Sequence, residues 1–161
     1  MMDEFLAHVR QSDGTPQTLA AHLEGVATES KGSAGKLGLE LAGELIGLLH
    51  DLGKYSGEFQ GYLQSATGLL NPDEDQDFVD ARGLKGKVDH STAGAQFVWR
   101  ELSKQGQLGQ IAGQILALCI ASHHSGVIDC LTSDPSSSGE DAFTRRMGKS
   151  KVKAHLKAVI W

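Results

Sequence analysis

The chain has 161 residues, 40% hydrophobic and 22% charged, the make-up of one ordinary globular domain and not of a fibre or a disordered tail. No apolar run approaches the roughly 18 to 20 residues that a membrane span requires. Residues 1–141 hold 9 Lys and Arg against 20 Asp and Glu, and residues 142–161 hold 6 against none, so the net charge of −5 is −11 followed by +6. A basic end of this kind either meets nucleic acid or forms a solvated basic helix.

In chain order, the spacing of apolar residues is helical. Thr15 and Pro16 read as the cap and first position of a helix that places Leu19, His22, Leu23 and Val26 on one face. Residues 30–35 are small and read as a break. A longer helix follows, with Leu37, Leu41, Leu45, Leu48 and Leu49 inward, stopping near Gly53. Ser56 caps a short helix that turns Phe59, Tyr62 and Leu63 to one side. Residues 67–89, with Asp73, Glu74, Asp75, Asp77 and Asp80, read as a variable acidic surface loop.

Ser91 or Thr92 starts the next helix, through Phe97, Val98, Trp99 and Leu102, whose aromatics sit at core spacing. Residues 108–122 are the most apolar stretch and read as a central helix, greasy on both faces. Residues 135–139 are a Pro/Ser/Gly loop, and a basic helix is expected from 140 to 161. The sum is a single all-α domain over 1–161, with about six helices, no strand and no repeat. The last helix reaches Trp161 without a stop signal, which reads as the N-terminal part of a longer protein. The opening MMDEFLAHVR is acidic where a signal peptide has its apolar core. Cys119 and Cys130, too few for a disulfide scaffold, read as a core thiol and a loop thiol of a cytoplasmic protein.

Seven histidines are many for this length, and five occupy telling positions. His22 is on an inner helix face. His50 and Asp51 are adjacent at a helix end, in LLHDLGK. His90 directly precedes a helix start, in VDHSTAG, and His123 and His124 are paired where the greasy helix ends, in ASHHSG. An imidazole among leucines needs partners for its nitrogens, so one such residue reads as a satisfied core histidine; four separate stations read as a set. Imidazole and carboxylate are ligands of first-row divalent metals. His22, His50 and Asp51 would supply one ion, and His90, His123 and His124 a second, with the two oxygens of Asp51 shared. Such a pair suits phosphodiester hydrolysis, because it activates water and neutralises phosphate charge. Lys54, one turn beyond His50, would aim its ammonium at the same cavity.

FLAHVR, TPQTLAAHLEGVA, LAGELIGLLHDLGKYSGEFQGYL, VDHSTAGA and ILALCIASHHSG, in this order over residues 5–126, resemble the HD nuclease domain of the CRISPR-associated helicase-nuclease of type I systems, within the HD superfamily of metal-dependent phosphohydrolases. The resemblance implies an all-α HD fold that cuts single-stranded DNA, as endo- or exonuclease, in antiviral CRISPR interference. It implies a superfamily 2 helicase domain or subunit and a crRNA-guided surveillance complex as partners, and no membrane.

Carried over, His22, His50 and Asp51 match the first-ion ligands and His90, His123 and His124 the second-ion ligands. Lys54 matches the lysine that contacts the scissile phosphate, so Asp51 and Lys54 are the expected catalytic pair. Ser91 matches a polar residue at the site edge, and Arg145, Arg146 and Lys149, with Lys151 and Lys153, would guide the DNA backbone. A His-rich centre favours Mn²⁺, Ni²⁺, Co²⁺ or Fe²⁺ over Mg²⁺, in one or two ions. The family's late aspartate ligand has no evident match. Asp129, Asp134 and Asp141 lie close behind His124, and no acidic residue follows Asp141, so that ligand is expected beyond Trp161. His8 is read as making a structural hydrogen bond and His155 as solvent-facing. Two alternatives stand beside the nuclease: a nucleotide or cyclic-nucleotide phosphohydrolase of the same fold, and a docking module that keeps the fold without cutting.

Overall fold

A computed structural model describes residues 5–84, 86–130 and 141–150. Among these residues the chain is mostly helical: α1 Leu19–Gly35, α2 Glu40–Leu49, α3 Gly57–Ala66, α4 Ser91–Ser103, α5 Gly106–Ser122 and α6 Ala142–Met147. A 3-10 turn over Leu52–Tyr55 links α2 to α3. Residues 67–84 and 86–90 are irregular and mostly exposed. No helix among the described residues is long and apolar enough to cross a membrane.

The sequence suggested no strand, yet β1 (Leu6–Val9) and β2 (Pro16–Thr18) pair antiparallel, with Leu6 opposite Thr18 and Val9 opposite Pro16. Asp13 and Gly14 make the hairpin turn: the Asp13 carboxylate accepts from the Thr15 amide at 3.0 Å, and the Arg10 amide donates to the Thr15 carbonyl at 2.9 Å. Pro16 is therefore a strand residue. The cap of α1 is Thr18, whose hydroxyl accepts from the Ala21 amide at 3.2 Å.

Residues 30–35 do not break the chain; they are the last turns of α1. Their smallness serves packing. A Cβ added at Gly43 would lie 2.4 Å from the Ser30 carbonyl oxygen, and one added at Gly47 would lie 2.4 Å from the Ala27 Cα. The backbones of α1 and α2 thus touch across Ala27, Ser30 and Ala34, and small side chains permit it. The same contact turns the leucines of α2 another way. Its buried side is Gly43, Gly47 and Leu49, while Leu41 is 79% exposed and Leu37, ahead of the helix, 78% exposed. Leu48 is also exposed, so only Leu45 and Leu49 of the expected stripe meet the core.

Helix α5 likewise has one bare face, at Leu108, Ile111 and Ile115, and Cys119 lies exposed on it instead of in the core. Its other face, with Leu116, Ala117, Ile120 and Ala121, packs with Leu49, Ala95, Val98 and Phe143 as the main cluster. Phe97, Trp99 and Cys130 pack against this cluster, as core spacing suggested for the two aromatics. A second cluster joins Ala7, Leu19 and Leu23. Burial of an Ile or Leu side chain stabilises by roughly 1.5 to 3 kcal/mol, and fully buried Leu19 and Ile120 stand three residues before His22 and His123. Ser56 does cap α3, accepting from the Phe59 amide at 3.2 Å. Of the expected basic helix, α6 covers Ala142–Met147, capped by Asp141, which accepts from the Thr144 amide at 2.8 Å. The 135–139 loop, Asp134, Lys151, Lys153 and His155 lie outside the described residues.

Candidate metal centre

Three histidines stand where a helix or loop ends, and each is oriented by the carbonyl of a nearby residue. His50 Nδ1 lies 2.8 Å from the Gly47 oxygen, His123 Nδ1 2.7 Å from the Ile120 oxygen, and His90 Nδ1 3.2 Å from the Val88 oxygen. A carbonyl can only accept, so in each neutral ring Nδ1 carries the proton and Nε2 keeps its lone pair. All three Nε2 atoms then face one carboxylate. His50 Nε2 is 3.2 Å from Asp51 Oδ2, His123 Nε2 is 3.4 Å from Oδ1 and His90 Nε2 is 3.5 Å from Oδ1. From α1, His22 Nε2 lies 3.1 Å from Oδ2. His124 completes the far side, its Nε2 2.7 Å from His90 Nε2.

Asp51 is 2% exposed. Its Oδ2 is crowded: besides His22 and His50 it takes the Lys54 ammonium at 2.9 Å. Its Oδ1 is buried and completes no hydrogen bond, although the Nε2 atoms of His123 and His90 stand 3.4 and 3.5 Å away. A buried carboxylate oxygen left in this state demands a cation or a donor. Burial acts to raise the Asp51 pKa, but His123 and His50, which can donate to it from Nε2 when protonated, and the Lys54 charge outweigh it and hold the group well below the usual carboxylate range. Burial pushes His90 down to about 4, and depresses His22 and His124 as well. On His50 burial acts the same way, but the Asp51 carboxylate prevails and the pKa rises. The site therefore offers an anion ringed by imidazoles, most of them held neutral, which is the protonation state that binds metal. Donor atoms of Asp51, His90, His123 and His124 lie within 4.8 Å of one another, as do those of His8, His22 and Asp51. Nitrogen and carboxylate donors in this arrangement fit a divalent transition metal.

The sequence profile of the family described as Cas3, HD domain, matches residues 6–160. The chain belongs to that family. No curated protein matches it. Membership in the Cas3 HD family makes the domain a metal-dependent hydrolase of phosphodiester bonds, of the nuclease and phosphohydrolase kind, that works in CRISPR systems with a helicase and a CRISPR complex. HD domains bind divalent metals, and the cluster around Asp51 is where this one can do so.

Within the Cas3 HD frame, the six histidine and aspartate positions singled out from sequence, His22, His50, Asp51, His90, His123 and His124, converge on one point. Lys54 reaches it too, but from below. It is 3% exposed, and its ammonium is held by Asp51 and by the Ala7 carbonyl at 3.2 Å, so it does not project into an open cavity. Ser91 is buried in the first turn of α4 and forms part of the wall beside His90, not an exposed edge.

The basic residues divide. Arg145 is exposed. Arg146 donates to the Ala121 carbonyl, two residues before His123, and Lys149 pairs with Asp89, next to His90. Asp89 also caps α4, accepting from the Thr92 amide at 3.1 Å and the Thr92 hydroxyl at 2.6 Å. Asp141 is occupied in capping α6, and the Asp129 carbonyl accepts from the Phe143 amide. Residues 142–150 are thus a latch over the two loops that carry His90 and His123. Gln96 fastens it, its amide nitrogen lying 3.2, 3.1 and 2.9 Å from the carbonyls of Arg146, Met147 and Lys149. Gln96→Ala strips these carbonyls of their donor and is expected to lower stability by about 1 to 3 kcal/mol, read as a reduced Tm.

His8 is the residue at the centre that sequence reading set aside. Its signal was the period-two alternation of a short strand, which puts it on the face opposite buried Ala7.

Proposed function

We propose that this domain cleaves single-stranded DNA in CRISPR interference, fed by a superfamily 2 helicase domain or subunit that a crRNA-guided surveillance complex recruits. His22, His50 and Asp51 would hold one divalent transition-metal ion, and Asp51, His90, His123 and His124 a second. The observation that carries the reading is the buried Asp51 Oδ1, without a hydrogen bond and faced by the Nε2 atoms of His90 and His123. When bound, such ions supply Lewis-acid polarisation of a phosphodiester and neutralise the charge that grows on its oxygens.

The chain's own residues do the rest. The Gly47, Val88 and Ile120 carbonyls fix the tautomers of His50, His90 and His123, so these rings need not reorganise on each turnover. Lys54 balances Asp51 from beneath and keeps it ionised. The nitrogen-rich set favours Mn²⁺, Ni²⁺, Co²⁺ or Fe²⁺, because Mg²⁺ prefers oxygen ligands.

The test is digestion of circular single-stranded DNA with Mn²⁺ or Ni²⁺, with and without chelator, beside free nucleotides and cyclic nucleotides. Metal-dependent loss of the circle is the expected result. Turnover of free nucleotides with the circle intact would move the assignment to a nucleotide phosphohydrolase. Inertness towards both, with metal bound, would favour a docking role.

A further inference from the structure

The β1–β2 hairpin brings to the centre a histidine that the HD pattern does not use. Ala7 is buried against Leu19 and Leu23, so His8, its neighbour along the strand, emerges on the opposite side. The backbone around it is held tightly. The Leu6 amide donates to Gln60 Oε1 at 3.0 Å, the Gln60 amide donates back to the Leu6 carbonyl at 2.9 Å, and the Ala7 carbonyl takes the Lys54 ammonium. The strand register is irregular between Leu6 and His8, at the place where the ring turns to the site.

The His8 ring stands edge-on to His22, with centroids 4.8 Å apart and planes at 79°. Donor atoms of His8, His22 and Asp51 lie within 4.8 Å of one another. Between two of them there is already a positive charge: Lys54 Nζ is 2.9 Å from Asp51 Oδ2 and 3.5 Å from His8 Nε2. That ammonium marks a point where these donors favour a cation, and an ammonium can only donate, so His8 Nε2 faces it with its lone pair.

From this arrangement we infer that His8 is a ligand of the ion on the His22 side of Asp51. With His22, His50 and Asp51 it makes a set of three imidazoles and one carboxylate, drawn from β1, α1 and the end of α2. The inference rests on the metal-centre reading above and adds to it a ligand from the hairpin. It also gives the hairpin a role: the Gln60 clamp on Leu6 fixes where an ion can sit.

The decisive experiment loads the protein with Co²⁺, counts bound cobalt by atomic spectroscopy and records the visible spectrum. The unaltered chain is expected to hold two ions. His8→Ala should hold one, and His124→Ala, on the other side of Asp51, provides the matching loss there. His8→Cys should show a cobalt–thiolate charge-transfer band that the unaltered chain lacks, because the new thiolate would bind the ion directly. Two ions of unchanged affinity in His8→Ala would overturn the inference and leave His8 as a ring packed on His22. Loss of an ion in His8→Ala without the thiolate band in His8→Cys would also overturn it, since His8 would then act only through Lys54 or His22. Absence of cobalt from the unaltered chain would instead sink the metal-centre reading itself. Because His8 is exposed, metal-free His8→Ala is expected to melt close to the unaltered chain, which separates ligand loss from unfolding.

Discussion

Asp51→Asn is expected to abolish ion binding and to lower DNA cleavage by on the order of 1,000-fold. The replacement is nearly isosteric, so the loss would come from charge. His22, His50, His90 and His123 all aim Nε2 at this carboxylate, and no other acidic side chain among the described residues joins them within bonding range. An amide offers one weaker acceptor where two anionic oxygens stood, and it cannot serve both donor sets at once. Stability would move as well. The variant leaves the Lys54 ammonium buried without its anion, and breaking a buried pair from one side costs about 3 to 5 kcal/mol.

Lys54→Met makes the complementary break, and the same cost is expected in metal-free protein. Here added Mn²⁺ should restore stability more than it does in the unaltered chain, since it supplies the missing positive charge beside Asp51. The double variant, with both charges gone, should lose less than the two single losses together. Urea unfolding with and without Mn²⁺ measures all three. Additive losses would mean that Lys54 and Asp51 are not energetically coupled. A Lys54→Met variant of full stability but low kcat would make the lysine a phosphate contact, and its buried position an incidental feature.

The residues that gather around Asp51 were more legible than the framework that holds them. A histidine or an HD pair keeps its chemical meaning wherever it falls, so the stations at 22, 50–51, 90 and 123–124 could be read as one set before any contact was known. Ser56 was legible for a similar reason, because a cap is a local hydrogen bond. What escaped depended on distant neighbours. Residues 30–35 look like a break by propensity, yet α1 continues through them because Gly43 and Gly47 of α2 let the two backbones touch. Leu37 and Leu41 look like core by hydropathy, yet the face of α2 turned to α1 is the glycine face. Thr15-Pro16 imitates a helix start, while Asp13-Gly14 just before it was the hairpin signal that the short strands obscured. The place of His8 follows from that hairpin, so it could not be read without it. The engagement of Arg146 and Lys149 with Ala121 and Asp89 was equally hidden, for a charge run shows no partners in sequence.

Gly53→Ala is expected to remove one ion selectively and to destabilise the fold by about 2 to 4 kcal/mol. Gly53 follows Asp51 by two residues and touches the backbone of the opposite wall. Its amide donates to the His90 carbonyl at 3.0 Å, and an added Cβ would meet the His90 oxygen at 2.4 Å and the His90 Cα at 2.6 Å. Backbone cannot swing aside as a side chain does, so the start of α4 must retreat. His90 would retreat with it, away from an Asp51 oxygen that it already approaches only to 3.5 Å. The ion proposed for His90, His123 and His124 should then be lost, while the one proposed on the His22 side persists, because His8, His22 and His50 come from elements the clash does not reach. Metal counting on Gly53→Ala beside Gly57→Ala tests this directly. An added Cβ at Gly57 meets nothing within 4 Å, so that variant should keep both ions and its Tm. Parent-like metal content in Gly53→Ala would show that the contact between Gly53 and His90 holds the fold together without setting the distance across the metal centre. Loss of both ions would show that the two sides of Asp51 fill as one unit, and that the lone pairs of His90 and His123 are needed even by the ion that they do not touch.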